Sequence, residues 1–274
     1  MDWLDPTIAD APNEQADRIT VAMRVANAAG QMTMQTFNDA LNGTLVVEDK
    51  ADGSPVTRAD REAEALIHAG IKASFPNDTK HGEEHGTHQG TNDWQWVIDP
   101  IDGTVSFTHG VPVFGMLIGI EHCGTPVAGV MHFPGLHETV WATHAGAFWK
   151  RGEHEPVRAA VSSTNQLCDA MVCMTSLDYL PDNPKAWLRV HEAARRTRGW
   201  SDCHSSLLLA TGRVDAVIEP ELNPWDISAI IAVLRHAGGQ FTNWNGERAF
   251  DSNVRRGVSS NGHLHDELIA ALNA

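Results

Sequence analysis

Asp99-Pro100-Ile101-Asp102-Gly103-Thr104 places two aspartates three residues apart at the end of the apolar run 95–98. If the chain turns between them, as Pro100 favours, both carboxylates and the Ile101 carbonyl face one point. That is an all-oxygen donor set of the kind hard cations take. Gly103 permits close backbone approach, and the amides of Gly103 and Thr104 form a phosphate cradle if a short helix starts there. The Thr104 hydroxyl is placed to hold a water. A plainer local reading makes Asp102 the N-cap of that helix. Two more segments add acids: Gly82-Glu83-Glu84-His85-Gly86, a glycine-flanked loop, and Pro224-Trp225-Asp226, which opens the apolar stretch 227–234. Capping of the helix would account for Asp226 equally well.

Several elements must position these groups. Helical spacing of Ile19, Ala22, Met23 and Ala26 predicts an amphipathic helix over about 17–37. A turn-rich stretch, Asp49 to Pro55, leads to a second helix over 59–75 with Asp60 in its first turn. Residues 95–98 read as a strand running into the Asp99 turn. Hairpins are predicted at Cys123-Gly124-Thr125, joining 114–121 to 127–132, and near Arg151-Gly152. Beyond about Ala159 strands alternate with helices at 184–196, 226–236 and 265–272, with a strand at 214–218, an α/β texture. The expected organisation is an α+β half, residues 1–155, carrying most of the acids, packed on an α/β half, residues 156–274, carrying Asp226.

Composition bounds the chemistry. The chain has 274 residues, 42% of them hydrophobic, enough for a substantial core. A formal charge of −15 argues against nucleic acid or an anionic membrane as partner. A phosphate ligand would need a positive intermediary, and a divalent cation held by carboxylates is the obvious one. Cys123, Cys168, Cys173 and Cys203 form no C-x-x-C pair or disulfide framework, which fits a reduced, cytoplasmic setting. Met1-Asp2-Trp3-Leu4-Asp5-Pro6 lacks the basic and apolar regions of a signal peptide.

Asp-Pro-Ile-Asp-Gly-Thr at 99–104, Gly-Glu-Glu at 82–84, Gly53-Ser54-Pro55-Val56-Thr57-x-Ala59-Asp60, and Trp225-Asp226 followed by Ala237-Gly238-Gly239 resemble, in order and spacing, the motifs of the inositol monophosphatase superfamily. The resemblance implies the layered αβαβα sandwich of the sugar-phosphatase type, a homodimer, and a metal-dependent phosphatase acting on a small phosphate monoester. It implies that Glu83, Asp99 and the Ile101 carbonyl hold one Mg2+, that Asp99, Asp102 and Asp226 hold a second, and that a looser third also touches Glu83. Asp60 would pair with Thr104 to activate the attacking water, and the amides of Gly103 and Thr104 would receive phosphate oxygens. Lys50 falls near a family lysine if a one-residue gap is allowed.

Thr104-Val105-Ser106-Phe107 departs from the Thr-Thr-Asn-Phe of many inositol phosphatases, whereas 114–119 and 198–203 look more like the histidinol-phosphate phosphatase branch. Asp202 falls where inositol-type members tend to carry a small residue, and Glu219 lies where the family contacts the organic part of its substrate. Extra carboxylates there suit the ammonium and imidazole of histidinol phosphate. The alternatives are an inositol-1-monophosphatase, a nucleotide 3′-phosphatase, and a non-catalytic metal- or phosphate-binding homologue. His81, His85 and His88 beside Glu83 raise zinc as a possibility, but they lack the His-Glu-x-x-His registry on a helix. No G-x-S-x-G elbow, Walker loop or G-x-G-x-x-G occurs.

Overall fold

Trp96-Val97-Ile98 and Met116-Leu117-Ile118 are continuously apolar, as befits strands covered on both faces. The computed structural model describes residues 12–180, 182–200, 202–248 and 254–274; the opening segment read above for targeting, and Ser201 of the 198–203 motif, lie outside them. The chain opens with α1 (Pro12–Leu41), a hairpin of β1 (Val47–Asp49) and β2 (Pro55–Thr57), and α2 (Arg58–Ser74). An eight-stranded sheet follows. It is built from β3 (Thr79–Gly82), β4 (Gly86–His88), β5 (Trp94–Asp102), β6 (Gly115–His122), β7 (Thr125–Phe133), β8 (Glu138–Thr143), β9 (Gly146–Arg151) and β10 (Val157–Arg158), with the short α3 (Thr104–Thr108) after β5. Its spatial order is β10-β9-β8-β7-β6-β5-β3-β4, and β3 with β5 is its parallel pair.

The second sheet is interleaved with helices: β11 (Met171–Met174), α4 (Pro184–Ala193), β12 (Arg196–Arg198), α5 (Asp202–Ala210), β13 (Ala216–Glu219), α6 (Pro224–Ala237), β14 (Gln240–Asn243), β15 (Gly257–Ser260) and α7 (His265–Asn273). Its order is β12-β11-β13-β15-β14, with β11 parallel to both neighbours.

Strand parity fixes the layers. Ile118 packs with α1 and α2, whereas its neighbour Leu117 packs with α5 and α6. In the second sheet Val217 joins that same α5–α6 cluster, while Ala216 and Ile218 join α4 and α7. Five layers result, α1/α2, large sheet, α5/α6, small sheet, α4/α7, which is the αβαβα sandwich.

Two elements differ from the sequence reading. The helix expected over 184–196 stops at Ala193, because Arg196–Arg198 pair with β11 as an edge strand. Helix α5 gave no periodic signal, because Cys203 and Ser205 through Ala210 are buried all round and an all-buried helix has no amphipathic stripe. No helix among the described residues is long and apolar enough to cross a membrane.

The junction of α1 with the large sheet has a pH signature. His132 on β7 packs under α1 at Gly30 and bonds Thr139 Oγ1 through Nδ1 at 2.8 Å. Burial, with a smaller push from His137, lowers its pKa to about 4. Between that value and the ordinary histidine range the unfolded chain binds a proton that the folded chain refuses. This residue therefore subtracts stability as pH falls from neutrality, by about 2 kcal/mol at pH 5. His132→Gln should remove that increment. In urea unfolding the variant should gain on the parent between pH 7.5 and pH 5, and a constant difference would refute the assignment.

Candidate active site

Asp99 and Asp102 both lie on β5, an odd number of residues apart, so a regular pleat would send them to opposite faces. Instead of the turn expected at Pro100, β5 stays a strand and changes register. Asp99 pairs with Leu117 and Asp102 with Gly115, three steps on β5 against two on β6. The extra residue is a bulge, which restores the parity and seats Pro100, with no amide to donate, where the ladder is interrupted. The strand ends at Asp102 and is followed by Gly103, whose φ of 88° is left-handed and which occupies the N-cap position of α3. Asp102 is therefore not the cap, and its carboxylate accepts from Cys203 N at 3.3 Å.

Asp226 arrives from the other sheet's side on α6. Its Oδ2 accepts the Asn223 amide at 2.6 Å in a capping box. Yet Asp99, Asp102 and Asp226 each also offer an oxygen to one cluster, all within 4.8 Å of one another. Glu83 follows β3, with its amide bonded to Ile98 O at 3.2 Å, and its carboxyl is close enough to Asp99 to share a proton. Lys50, in the β1–β2 turn, reaches across to Glu83 Oε1 at 2.7 Å and also binds Glu84. A sequence gap made this lysine hard to align, but the structure puts it in the cleft.

Asp60 stands one layer back. It is 1% exposed; its Oδ2 accepts the Thr57 amide and hydroxyl, and its Oδ1 is 3.4 Å from Thr104 Oγ1. That hydroxyl also lies 3.1 Å from Ile101 O. The cleft in front encloses about 660 Å³ and is lined by Glu83, Asp99, Ile101, Asp102, Gly103, Thr104 and Asp226, and also by Asp202 and Glu219. Thr175 Oγ1 donates to Glu219 Oε2 at 2.8 Å, a contact with no signal in the sequence. Asp202 opens α5 at a left-handed φ of 38° with its carboxylate against Gly103.

Gathering so many acids out of water raises their proton affinity. Burial, then Glu83, Asp102 and Asp226, hold Asp99 well above the carboxylate range; burial, then Asp202 and Asp226, do the same for Asp102. Burial lifts Asp226 to about 7 and Glu219 to about 8. Among the described residues, Lys50 is the one ammonium lining this cleft. Closely spaced carboxylate oxygens that repel one another and hold protons near neutrality fit a divalent cation, which exchanges that repulsion for attraction. His81, His85 and His88 turn elsewhere: His81 bonds Thr87, His85 bonds the Arg61 carbonyl, and His88 packs edge-on against His68.

The model of the inositol monophosphatase family matches residues 14–274. The chain is 36% identical over 258 residues to the histidinol-phosphatase of Chlorobaculum parvum, covering 93% of this chain and 96% of that one. It is 38% identical over 264 residues to the histidinol-phosphatase of Streptomyces coelicolor, covering 94% and 97%. The solved IMPase of Thermotoga maritima superposes with a TM-score of 0.82 at 31% identity, over 94% of this chain and 97% of its own.

Proposed function

The chain belongs to the inositol monophosphatase family, whose members are metal-dependent hydrolases of phosphate monoesters, and within it we propose a histidinol-phosphate phosphatase that uses Mg2+. The observation that carries this choice is the acidic wall. Asp202 and Glu219 face the same cleft as the Asp99 cluster, and Asp202 raises the proton affinity of both Glu219 and Asp102. A carboxylate such as Asp202 on that wall attracts an ammonium or imidazolium, which a neutral polyol lacks, and disfavours the second phosphate of a nucleotide bisphosphate.

Glu83, Asp99, Asp102, Asp226 and the Ile101 carbonyl are the groups that would hold the metal, which when bound neutralises phosphoryl charge and makes water a better nucleophile. The amides of Gly103 and Thr104, at the start of α3, would donate to phosphate oxygens. Asp60 and Thr104 orient the attacking water and take up its proton. Asp202 holds the substrate's cation. Glu219 assists there, although a carboxylate at that point would serve a polyol equally. The division at about residue 155, a homodimer and a cytoplasmic location complete the reading; the first two follow the family resemblance, and four free cysteines support the third.

The test is a kinetic comparison, in Mg2+, of histidinol phosphate, inositol 1-phosphate and adenosine 3′,5′-bisphosphate. Histidinol phosphate should have the highest kcat/KM. Asp202→Asn should lower that value by about 10- to 100-fold, the worth of a hydrogen bond to a charged group, with little change for inositol 1-phosphate. Equal efficiency on the two substrates would defeat the assignment.

A further inference from the structure

Glu64 carries no part in the site as described so far, yet it is 0% exposed on α2, one helical turn after Asp60. Its Oε2 accepts the Glu84 amide at 2.7 Å and its Oε1 the His85 amide at 2.9 Å. The same carboxylate fills the space beside Gly82, where a Cβ would meet Oε1 at 2.0 Å. Residues on both sides of Glu83 are thus seated on one buried carboxylate.

Stability is a poor reason for this arrangement. His85 is exposed and Glu84 partly so; water could satisfy their amides, whereas burying a carboxylate carries a desolvation penalty. Among the described residues no lysine or arginine pairs with the Glu64 carboxylate, and burial outweighs the two amide bonds and the nearby His85 in raising its proton affinity. His68 Nε2 lies 3.4 Å from Oε1 without forming a hydrogen bond, and burial with the neighbouring His88 and His85 lowers its pKa to about 4, leaving it neutral at pH 7. A charge kept in such a place serves geometry. Asp60 and Glu64 share one rigid helix, so α2 sets the distance between the Asp60–Thr104 pair and the turn that presents Glu83.

We infer that Glu64 is a positioning residue, a clamp on the Gly82–His85 turn that holds Glu83 in place for the metal. The inference rests on the metal-dependent reading of the Asp99 cluster. Groups that orient a ligand from behind typically change metal affinity by about 10- to 100-fold when mutated. In Glu64→Gln one oxygen becomes an NH2 that cannot accept an amide, while size and burial are kept.

Mg2+ binding measured by calorimetry without substrate should weaken by about tenfold or more in this variant, and Glu64→Asp, which keeps the charge but falls short, should weaken it in the same direction. Turnover at saturating Mg2+ should recover toward the parent's. A variant that loses thermal stability yet binds Mg2+ as the parent does would reduce Glu64 to an ordinary structural residue and overturn the clamp, leaving the proposed function intact. A parent that binds no Mg2+ would overturn both. Should the variant fail to fold, hydrogen exchange on the parent in EDTA decides: the Glu84 and His85 amides should be protected, and free exchange at both would overturn the inference.

Discussion

Asp99→Asn is expected to fold, to lose turnover by about a thousandfold or more, and to melt higher than the parent when metal is removed. The first effect follows from position. Asp99 is the acid that touches the most others: Glu83 and Asp226 are each close enough to share a proton with it, and its oxygen belongs to the cluster with Asp102 and Asp226. An amide there keeps the bond from Ile101 N, 3.0 Å from Asp99 Oδ1, and so keeps the bulge. It withdraws the charge that two cation positions would share. The second effect follows from electrostatics. Without metal, Asp99 is ionised at neutral pH only against burial and four neighbouring carboxylates, which is why its proton affinity is raised so far. Removing that charge relieves the folded state more than the unfolded one, so Tm in EDTA should rise. Added Mg2+ should then stabilise the parent strongly and the variant weakly, since a ligand stabilises only what binds it. Normal turnover in a folded variant would remove the metal reading. A lower Tm in EDTA would leave that reading standing and refute the account of mutual repulsion.

The acids were legible in the sequence chiefly through the order and spacing of the family motifs, because the Asp99–Asp102 segment and Asp226 taken alone read equally well as capped turns. The route by which they meet was not. A turn at Pro100 and a bulge opposite Leu117–Gly115 both bring two aspartates to one side, and only strand pairing, a long-range fact, distinguishes them. Capping and ligation looked like rival readings of Asp226, yet its Oδ2 takes the Asn223 amide and the residue still offers an oxygen to the cluster. Lys50 was obscured for another reason. Its partners Glu83 and Glu84 lie more than thirty residues away, and the hairpin that swings it over them pairs only three residues on each strand. Glu64 could not be singled out at all, because an acid four residues after Asp60 on a helix reads as a solvated face until its burial is known. The layers were legible where a strand or helix has one dry face and lost where, as in α5, every face is dry.

Asp60→Asn is expected to lower kcat by about 10²- to 10⁴-fold, the range for a lost general base, and its combination with Thr104→Val to be hardly worse than Asp60→Asn alone. Burial is what prepares Asp60. It raises the pKa to about 6 against the opposing bonds from Thr57, so the group is ionised at pH 7 yet more basic than an exposed aspartate. It does not line the cleft, so it acts through Thr104. The hydroxyl has a single proton and two acceptors in reach, Asp60 Oδ1 at 3.4 Å and Ile101 O at 3.1 Å. When it donates to Asp60, its lone pairs can receive a proton from water in the cleft, and the transfer ends with water's proton on Thr104 and Thr104's own on Asp60. Residues linked in series lose their function once, so the two substitutions should be strongly non-additive. Thr104→Ser, which keeps the hydroxyl, should retain most activity. A merely structural role for Asp60 in the capping box of α2 predicts otherwise: Asn can still accept the Thr57 amide, so stability would change little and kcat would follow it. Losses that multiply in the double variant would separate Asp60 from Thr104 and leave the attacking water without its base.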